Sequence, residues 1–279
     1  MKVFNRTQWL CGLVGLALIL SACGGGAAPA GDNQATVSQS FAVDEDVTVT
    51  VSTYNGAIEI RTGSSDQVLV EVTKRGGGKT DAEAKRDLDN IQLALNQAAG
   101  SVKLVATHRG QAPADSAASF VVTVPAGAAV VASLTNGTIA VNGVKRDVTV
   151  TANNGDLTVR GVEEGAITAR TTNGNVTLEG REVASLVASS SNGSVSFQGS
   201  VAESNAANRI DVGNGSISVT LPGDAQWGVD ALTSNGVLTS DFTFQGNTTP
   251  TSVKGTVGAS PTFGIVIRIK NGNITIKKQ

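Results

Sequence analysis

The sequence is short of the side chains from which most catalytic and metal sites are built. Its 279 residues include two cysteines, Cys11 and Cys23, and one histidine, His108. A Ser-His-Asp triad would have to use His108, and a lone histidine at the end of a predicted strand is more often a surface residue. If Cys11 is lost with an N-terminal leader, no disulfide can form within the chain. We therefore predict no catalytic residue, no metal site and no cofactor.

Aromatic residues are also scarce, at 4% of the chain. Polysaccharide-cleaving enzymes with a parallel β-helix fold need paired carboxylates at a set separation and aromatic platforms for sugar rings. Only Tyr54 and Trp227 could act as such platforms, and no acidic pair recurs at one position of the repeats described below. The acidic clusters at 44–46 and 163–164 are explained more simply as charged turns. A polysaccharide-active enzyme is therefore a remote alternative.

An excess of basic residues is missing as well. Without the first 22 residues, the chain has 19 Lys and Arg against 23 Asp and Glu. This is not the charge balance of a nucleic-acid-binding domain, so we expect no nucleic-acid partner.

The N-terminus has the pattern of an export signal. Lys2 and Arg6 precede an uncharged apolar run, Leu10 to Leu20, which is too short to span a bilayer comfortably. The following Leu-Ser-Ala-Cys23 resembles the bacterial lipoprotein signal, which implies that Cys23 is acylated and becomes the first residue. Gly24, rather than Asp, follows it, and this favours the outer membrane if the source has two membranes. We expect a signal peptide over 1–22, a flexible tether over 23–36, and an extracytoplasmic protein held to a membrane by its lipid.

The most informative feature of the remaining chain is a repeated Asn-Gly pair. From the second pair onward, the spacings between successive pairs are 18, 19, 19, 22, 21 and 36 residues. A repeat this short cannot bury an apolar face alone, so neighbouring units must stack. The asparagines are Asn55, Asn136, Asn154, Asn173, Asn192, Asn214, Asn235 and Asn271.

Each repeat has the pattern of two short strands. Apolar residues stand three and five positions after the Asn, as in Leu157 and Val159, and again six and four positions before it, as in Ile167 and Ala169. Such alternation is typical of strands with one buried face. A glycine seven positions after several of the asparagines, such as Gly161, provides a second corner. The pattern predicts an all-β fold, a single-stack parallel β-solenoid (β-helix-like) with coils of about 19 residues. A meander of hairpins, each turning at Asn-Gly, is the alternative.

Two interpretations of the asparagines themselves stay open. Asn and Gly both tolerate positive φ, so the pairs could be solvent-exposed corners chosen for backbone geometry alone. Each Asn also keeps the inward parity of the strand before it, so the amides could instead form a ladder from coil to coil. In both interpretations the eight asparagines are structural corner residues.

The regular repeat is interrupted in two places and preceded by an irregular third. Extra residues near 200–209 and 241–262 are expected to form loops, and these are our candidates for a specific binding surface. Residues 37–125 contain strand-like segments and one short amphipathic helix, near Thr80 to Leu88, that Thr80 or Asp81 could cap. We expect one domain over 37–279, with 37–125 forming an N-terminal β-rich cap and the first strands, and 126–279 forming the Asn-Gly coils.

With these repeats, the chain resembles the putative-adhesin domain family of bacterial cell-envelope proteins, a family of unknown function. The segments that carry the resemblance are 49–60, 120–127, the successive Asn-Gly coils and the terminal 265–276. The resemblance implies a β-solenoid outside the cytoplasm and supplies no catalytic residues. We expect a non-enzymatic adhesion or interaction module whose partner is a surface glycan or a protein. A periplasmic scaffold or stress-sensing lipoprotein with the same fold is the alternative.

Overall fold

The computed structural model describes residues 33–63, 66–204 and 206–279. It contains nineteen strands and one helix within those residues, in the order β1 (Gln34–Ala42), β2 (Thr48–Thr62), β3 (Gln67–Arg75), α1 (Asp81–Leu88), β4 (Ile91–Ala98), β5 (Ser101–His108), β6 (Ala117–Val124), β7 (Ala129–Asn142), β8 (Val148–Asn154), β9 (Leu157–Glu163), β10 (Ala166–Asn173), β11 (Val176–Val183), β12 (Ser185–Asn192), β13 (Val195–Val201), β14 (Asn208–Leu221), β15 (Trp227–Asn235), β16 (Leu238–Ser240), β17 (Gln245–Thr248), β18 (Ser252–Val257) and β19 (Phe263–Lys278).

The repeats form a solenoid-like β fold with parallel strands. The segments that lie before the asparagines are hydrogen-bonded to one another and form the leading sheet. Its strand order is β4-β5-β2-β7-β8-β10-β12-β14-β19-β15-β18-β17. Segments that follow each Asn form the trailing sheet, in the order β1-β3-β6-β2-β7-β9-β11-β13-β14-β19-β16. Because successive repeats pair in parallel, the hairpin meander is wrong.

Four long strands, β2, β7, β14 and β19, pass through the Asn-Gly corner without a break and pair in both sheets. Strands β7 and β14 belong to both sheets. Together with the three strands that connect them in each sheet, they form a closed hydrogen-bonded ring of eight parallel strands. The ring encloses the part of the apolar core that its own eight strands contribute, and the two sheets meet at the corner.

The apolar alternation that predicts the strands also gives the core. Residues three and five positions after the Asn are buried in every regular coil, with Leu157 and Val159 both 0% exposed. The partners before the Asn, such as Ile167 and Ala169, are equally buried. At about 25 cal/mol per Å² of apolar surface removed from water, these stacked rows are the main stabilising contribution. The predicted inward positions are confirmed.

The coils do not stack in chain order at the C-terminal end. The last strand, β19, lies between β14 and β15, so it pairs with β14 on one side and with β15 and β16 on the other. The segment without an Asn-Gly pair, between Asn235 and Asn271, contains the antiparallel β17–β18 pair, which extends the leading sheet beyond β15.

The N-terminal region contains the predicted helix and one strand that the sequence did not suggest. Helix α1 is capped by Thr80, whose hydroxyl accepts a hydrogen bond from the Glu83 N–H while the Glu83 carboxylate accepts one from the Thr80 N–H. Strand β1 begins at Gln34, so residues 34–36, assigned to the tether from sequence, are part of the fold. Within the described residues, no helix is long and apolar enough to span a membrane.

Candidate binding groove

The two interruptions of the repeat meet on the outer face of the leading sheet. Residues 204 and 206–209 form one wall of a groove of about 740 Å³, and residues 254–256 and 261–263 form the other. The walls contact each other where the Ser204 N–H donates to the Thr262 carbonyl at 3.2 Å. Both segments proposed from sequence as a binding surface therefore contribute to one site.

Asn208 anchors the first wall to the sheet. Its side chain is 2% exposed, its Oδ1 accepts a hydrogen bond from the Leu186 N–H at 2.9 Å, and its Nδ2 donates to the Gly264 carbonyl at 3.0 Å. A buried amide with both ends bonded has one favourable orientation. The wall is thus fixed to two strands of the sheet, β12 and β19.

The floor of the groove is made largely of glycine backbone. Gly264 of β19 pairs with Gly228 of β15, and both glycines stand at outward positions, between the buried Phe263 and Ile265 on β19 and between Trp227 and Val229 on β15. A Cβ placed on Gly264 would meet only the Gly228 carbonyl, at 3.8 Å. The space that outward side chains fill elsewhere on the sheet is therefore open here, and a ligand can approach the strands closely.

Charged side chains of both signs border this floor. Arg268 Nη2 lies 2.8 Å from Asp230 Oδ2, and Arg209 donates to Asp211 at 2.8 Å. The hydrogen bond from Arg268 lowers the pKa of Asp230 against the opposing effect of burial, and the field of Lys254 adds to this. Lys254 stands directly opposite Asp230 across the β15–β18 pair. The lowered pKa favours the ionised form of Asp230 at this edge of the groove.

The two aromatic residues considered as sugar platforms do not line an open surface. Trp227 is 0% exposed and packs against Phe242, Phe244 and Phe263, with ring centroids 5.8, 5.9 and 6.3 Å away. Its Nε1 is the one buried side-chain polar atom without a partner in the described part of the chain. Tyr54 is partly buried, and its hydroxyl is bonded to Ser116 Oγ at 3.0 Å. Neither ring is placed to receive a sugar, which weakens the enzyme alternative.

The eight corner asparagines form one continuous ladder, and it lies at the surface. In stack order the ladder runs Asn55, Asn136, Asn154, Asn173, Asn192, Asn214, Asn271 and Asn235, each Nδ2 donating to the Oδ1 of the Asn before it at 2.7–2.9 Å. All but Asn55 are exposed. The expected inward parity is wrong at the corner, because the chain turns there and the alternation of faces is lost.

The glycine after each Asn is required by the close approach of the neighbouring coil. A Cβ on Gly137, whose φ is +136°, would stand 1.7 Å from the Gly56 carbonyl oxygen, and the same clash recurs along the stack. Beneath these glycines, the buried Thr171 and Ser190 hydroxyls donate to the carbonyls of Gly155 and Gly174 at 3.0 and 2.8 Å. The corner is thus held by amide, backbone and hydroxyl contacts.

The single histidine belongs to a structural cluster rather than to a triad. His108 Nε2 lies 2.8 Å from Asp87 Oδ1, and the Gly77 N–H donates to Asp87 Oδ2 at 3.0 Å. Ser116 is 0% exposed and bonds to Asp87 and Tyr54, not to the imidazole. A nucleophilic serine would have to contact the histidine and reach a substrate. The cluster instead holds the last turn of α1 against the strands of the N-terminal β-rich region, residues 37–125.

No group of His, Cys, Asp and Glu in the described part of the chain could hold a metal ion. Cys23, the predicted lipidation site, and the signal peptide lie outside the described residues. The sequence did not predict the glycine floor, because Gly228 and Gly264 are 36 residues apart. Only the parallel pairing of β15 with β19 brings them side by side.

The chain is similar to one protein family and, at low identity, to several solved structures. The family model Toastrack DUF4097 matches residues 45–208 and again residues 130–277. The solved structure of a putative cell adhesion protein from Clostridium sporogenes is 12% identical, with 88% of this chain and 100% of that chain covered and a TM-score of 0.37. That of a putative adhesin from Bacteroides fragilis is 15% identical, with 88% and 97% covered and a TM-score of 0.35. No curated protein matches the sequence.

Proposed function

The chain belongs to the Toastrack DUF4097 family, and from that premise we propose that it is a non-enzymatic interaction module outside the cytoplasm. In this proposal the Asn-Gly coils form a single-stack solenoid, and Cys23 carries the lipid that holds it to a membrane. Its role is adhesion to, or recognition of, another protein through the groove on the leading sheet.

The observation that carries the proposal is the convergence of the two irregular segments. In a stack of repeats, an insertion interrupts the regular pairing of strands between coils. Two insertions that together form one concave site therefore favour a role in binding. Ser204 and Thr262 join the two walls, and Asn208 fixes the first of them.

The chemistry of the groove favours an extended polypeptide as ligand. A glycine floor allows another backbone to lie close to the sheet, and Arg209, Asp230 and Lys254 offer charges of both signs for its side chains. Glycan sites commonly stack a sugar ring on an exposed aromatic side chain, and Trp227 is 0% exposed. A protein ligand is therefore the better match of the two classes expected from sequence.

The first experiment tests location and anchoring together. Protease is added to intact cells that produce the chain with a C-terminal tag, with and without Cys23→Ala. We expect the domain to be digested on intact cells and the Cys23→Ala chain to leave the membrane fraction. Protection until the outer membrane is opened would contradict surface adhesion and favour a periplasmic scaffold.

The second experiment tests the groove. Gly264→Leu and Gly228→Leu fill the floor, where a Cβ meets nothing closer than 3.7 Å. Gly223→Leu is the matched control, since a Cβ there also has open space, 3.9 Å from Lys278, but lies outside the groove. Cell adhesion to a panel of matrix and envelope proteins should fall for the first two variants and not for the third. Equal adhesion by all three would contradict a role for the groove.

A further inference from the structure

The two ends of the stack differ in the sheet edges that they present. At the C-terminal end, the outermost strands are short: β16 has 3 residues and β17 has 4. At the N-terminal end, β1 has 9 residues and β4 has 8, and neither contains a charged residue or a proline. Short strands, charges and prolines are the usual protection against edge-to-edge pairing. Within the described residues, only the N-terminal end lacks all three.

The backbone of β1 has a regular set of groups on its outer side. The Val43 N–H donates to Asp66 and the Asn33 carbonyl accepts from Gly76, so odd-numbered residues pair with β3. Even-numbered residues, centred on Ser38, therefore direct their N–H and C=O groups outward. Among these groups, the Ala42 carbonyl accepts a hydrogen bond from Gln97 Nε2.

Strand β4 presents a second edge at the same end of the stack, on the other sheet. The Asn90 carbonyl accepts from the Arg109 N–H, so even-numbered residues pair with β5 and odd-numbered ones, centred on Leu95, face outward. Leu93 and Leu95 are half-buried and turn their side chains toward the interior. Between the far ends of β1 and β4 lies an open groove of about 720 Å³, with Phe41 and Leu95 in its lining.

We propose that a second copy of this chain covers this end, with β1 pairing antiparallel to β1 and β4 to β4 around one two-fold axis. A single peptide strand could satisfy only one of the two edges. The occupant must present two edges, one on each sheet, at the separation found here, and another copy of the stack does so. Antiparallel pairing of a strand with itself is symmetric, as a two-fold interface requires. Ser38 and Leu95 stand four residues from the starts of their strands, so one axis passes near both.

The ends of β1 are complementary under this pairing. Gln34 would lie opposite Ala42 of the other copy. Next to Gln34 stand Arg75, its partner on β3, and helix α1, which contacts β1 and β3. Beyond Ala42 lie the open groove and the exposed Asp44. Each copy would therefore bring a basic side chain and a helix to the acidic, open side of the other.

A cysteine at the centre of the pairing tests the arrangement directly. In an antiparallel hydrogen-bonded pair the Cα atoms are about 5.5 Å apart, within the range of a disulfide. We expect the full chain with Ser38→Cys, expressed in cells, to migrate as a dimer on a non-reducing gel. The unsubstituted chain, which keeps Cys11 and Cys23, gives the background.

The register has its own control. Thr36 faces Ser40 of the other copy, so Thr36→Cys and Ser40→Cys should each stay at background alone and cross-link when the two chains are expressed together.

A separate test uses Leu95→Lys, which should convert the detergent-solubilised dimer to a monomer, as measured by light scattering. Leu69 is 44% exposed on the outer face of β3, so the Leu69→Lys chain should remain a dimer. A monomeric unsubstituted chain, or Ser38→Cys at background, would overturn the proposal.

Discussion

At the residue scale, each Asn-Gly pair has two separate tasks at the corner. The Asn amide links its coil to the next at the surface, while the Gly allows a neighbouring carbonyl to come closer than any side chain would permit. Sequence predicts the pair as a corner because both residues tolerate positive φ. It does not predict the exposure of the amides, because strand alternation cannot be continued through a turn.

The ladder predicts a graded response to its removal. Asn173→Ala loses two amide bonds, to Asn154 and from Asn192, whereas Asn235→Ala at the end of the ladder loses one. Because these bonds are exposed, each should contribute only about 0.5 kcal/mol to the free energy of unfolding. Urea denaturation should give losses of about 1 and 0.5 kcal/mol. Equal losses would show that the ladder contributes nothing beyond the corner itself.

The glycine predicts a much larger effect. Gly137→Ala forces a Cβ against the Gly56 carbonyl and holds alanine at a φ of +136°. Strain and overpacking together should cost about 3 kcal/mol or more. Gly223→Ala, in open space, is the control and should change the free energy of unfolding by less than about 0.5 kcal/mol. A stable Gly137→Ala chain in thermal unfolding would mean that the coils can separate at the corner.

At the scale of single elements, α1 shows how a short helix becomes part of a β fold. The capping box, Thr80 and Glu83, could be predicted from sequence and is present. What fixes the helix to the cap, the buried Asp87 with His108, Gly77 and Ser116, could not be predicted, since these residues are brought together only by the folded strands. Strand β1 was missed because its alternation contains few large apolar residues.

Asp87 predicts how stability depends on pH. Burial alone would raise its pKa, but hydrogen bonds from the Gly77 N–H, Ser116 and His108, with the charge of His108, outweigh burial and lower it. The folded state therefore favours the ionised form, and this contribution is complete above the ordinary carboxyl pKa of about 3.9. It is lost as pH falls through the lower value of the folded chain.

The matching variant is Asp87→Asn. Removing the charge leaves several donors without a full acceptor, so we expect a loss of about 1–3 kcal/mol in the free energy of unfolding at pH 7. The difference from the unsubstituted chain should shrink as the pH is lowered below about 4. Denaturant unfolding at pH 7, 5 and 3 measures it. A difference that is independent of pH would assign the effect to packing.

At the scale of the whole molecule, the position of β19 decides how the C-terminal coils hold together. Repetition made the coils predictable and their order unpredictable, because each coil offers its neighbours nearly the same Asn, Gly and apolar pattern. Any coil could pair with any other by that pattern alone. The long segment without an Asn-Gly pair, where β17 and β18 reverse direction, is what returns the chain between β14 and β15.

Truncation tests this order. Ending the chain after Thr262 removes β19 and leaves β14 and β15 without their shared partner. We expect residues from β14 onward to become sensitive to protease, while the coils up to β13 stay protected, since each coil depends on its neighbours. Mass spectrometry of the limited digest would identify the boundary. Protection through β15 in the truncated chain would mean that β14 and β15 can pair directly.

The unequal edges at the two ends of the stack also bear on aggregation. Amyloid fibres elongate because each added unit presents a fresh edge like the one it has just covered. Here the far end presents strands of only 3 and 4 residues, so a molecule that has used its long edges offers little for a third to join. Each molecule thus has only one end at which another copy can pair, so assembly stops at a dimer and does not continue to a fibril.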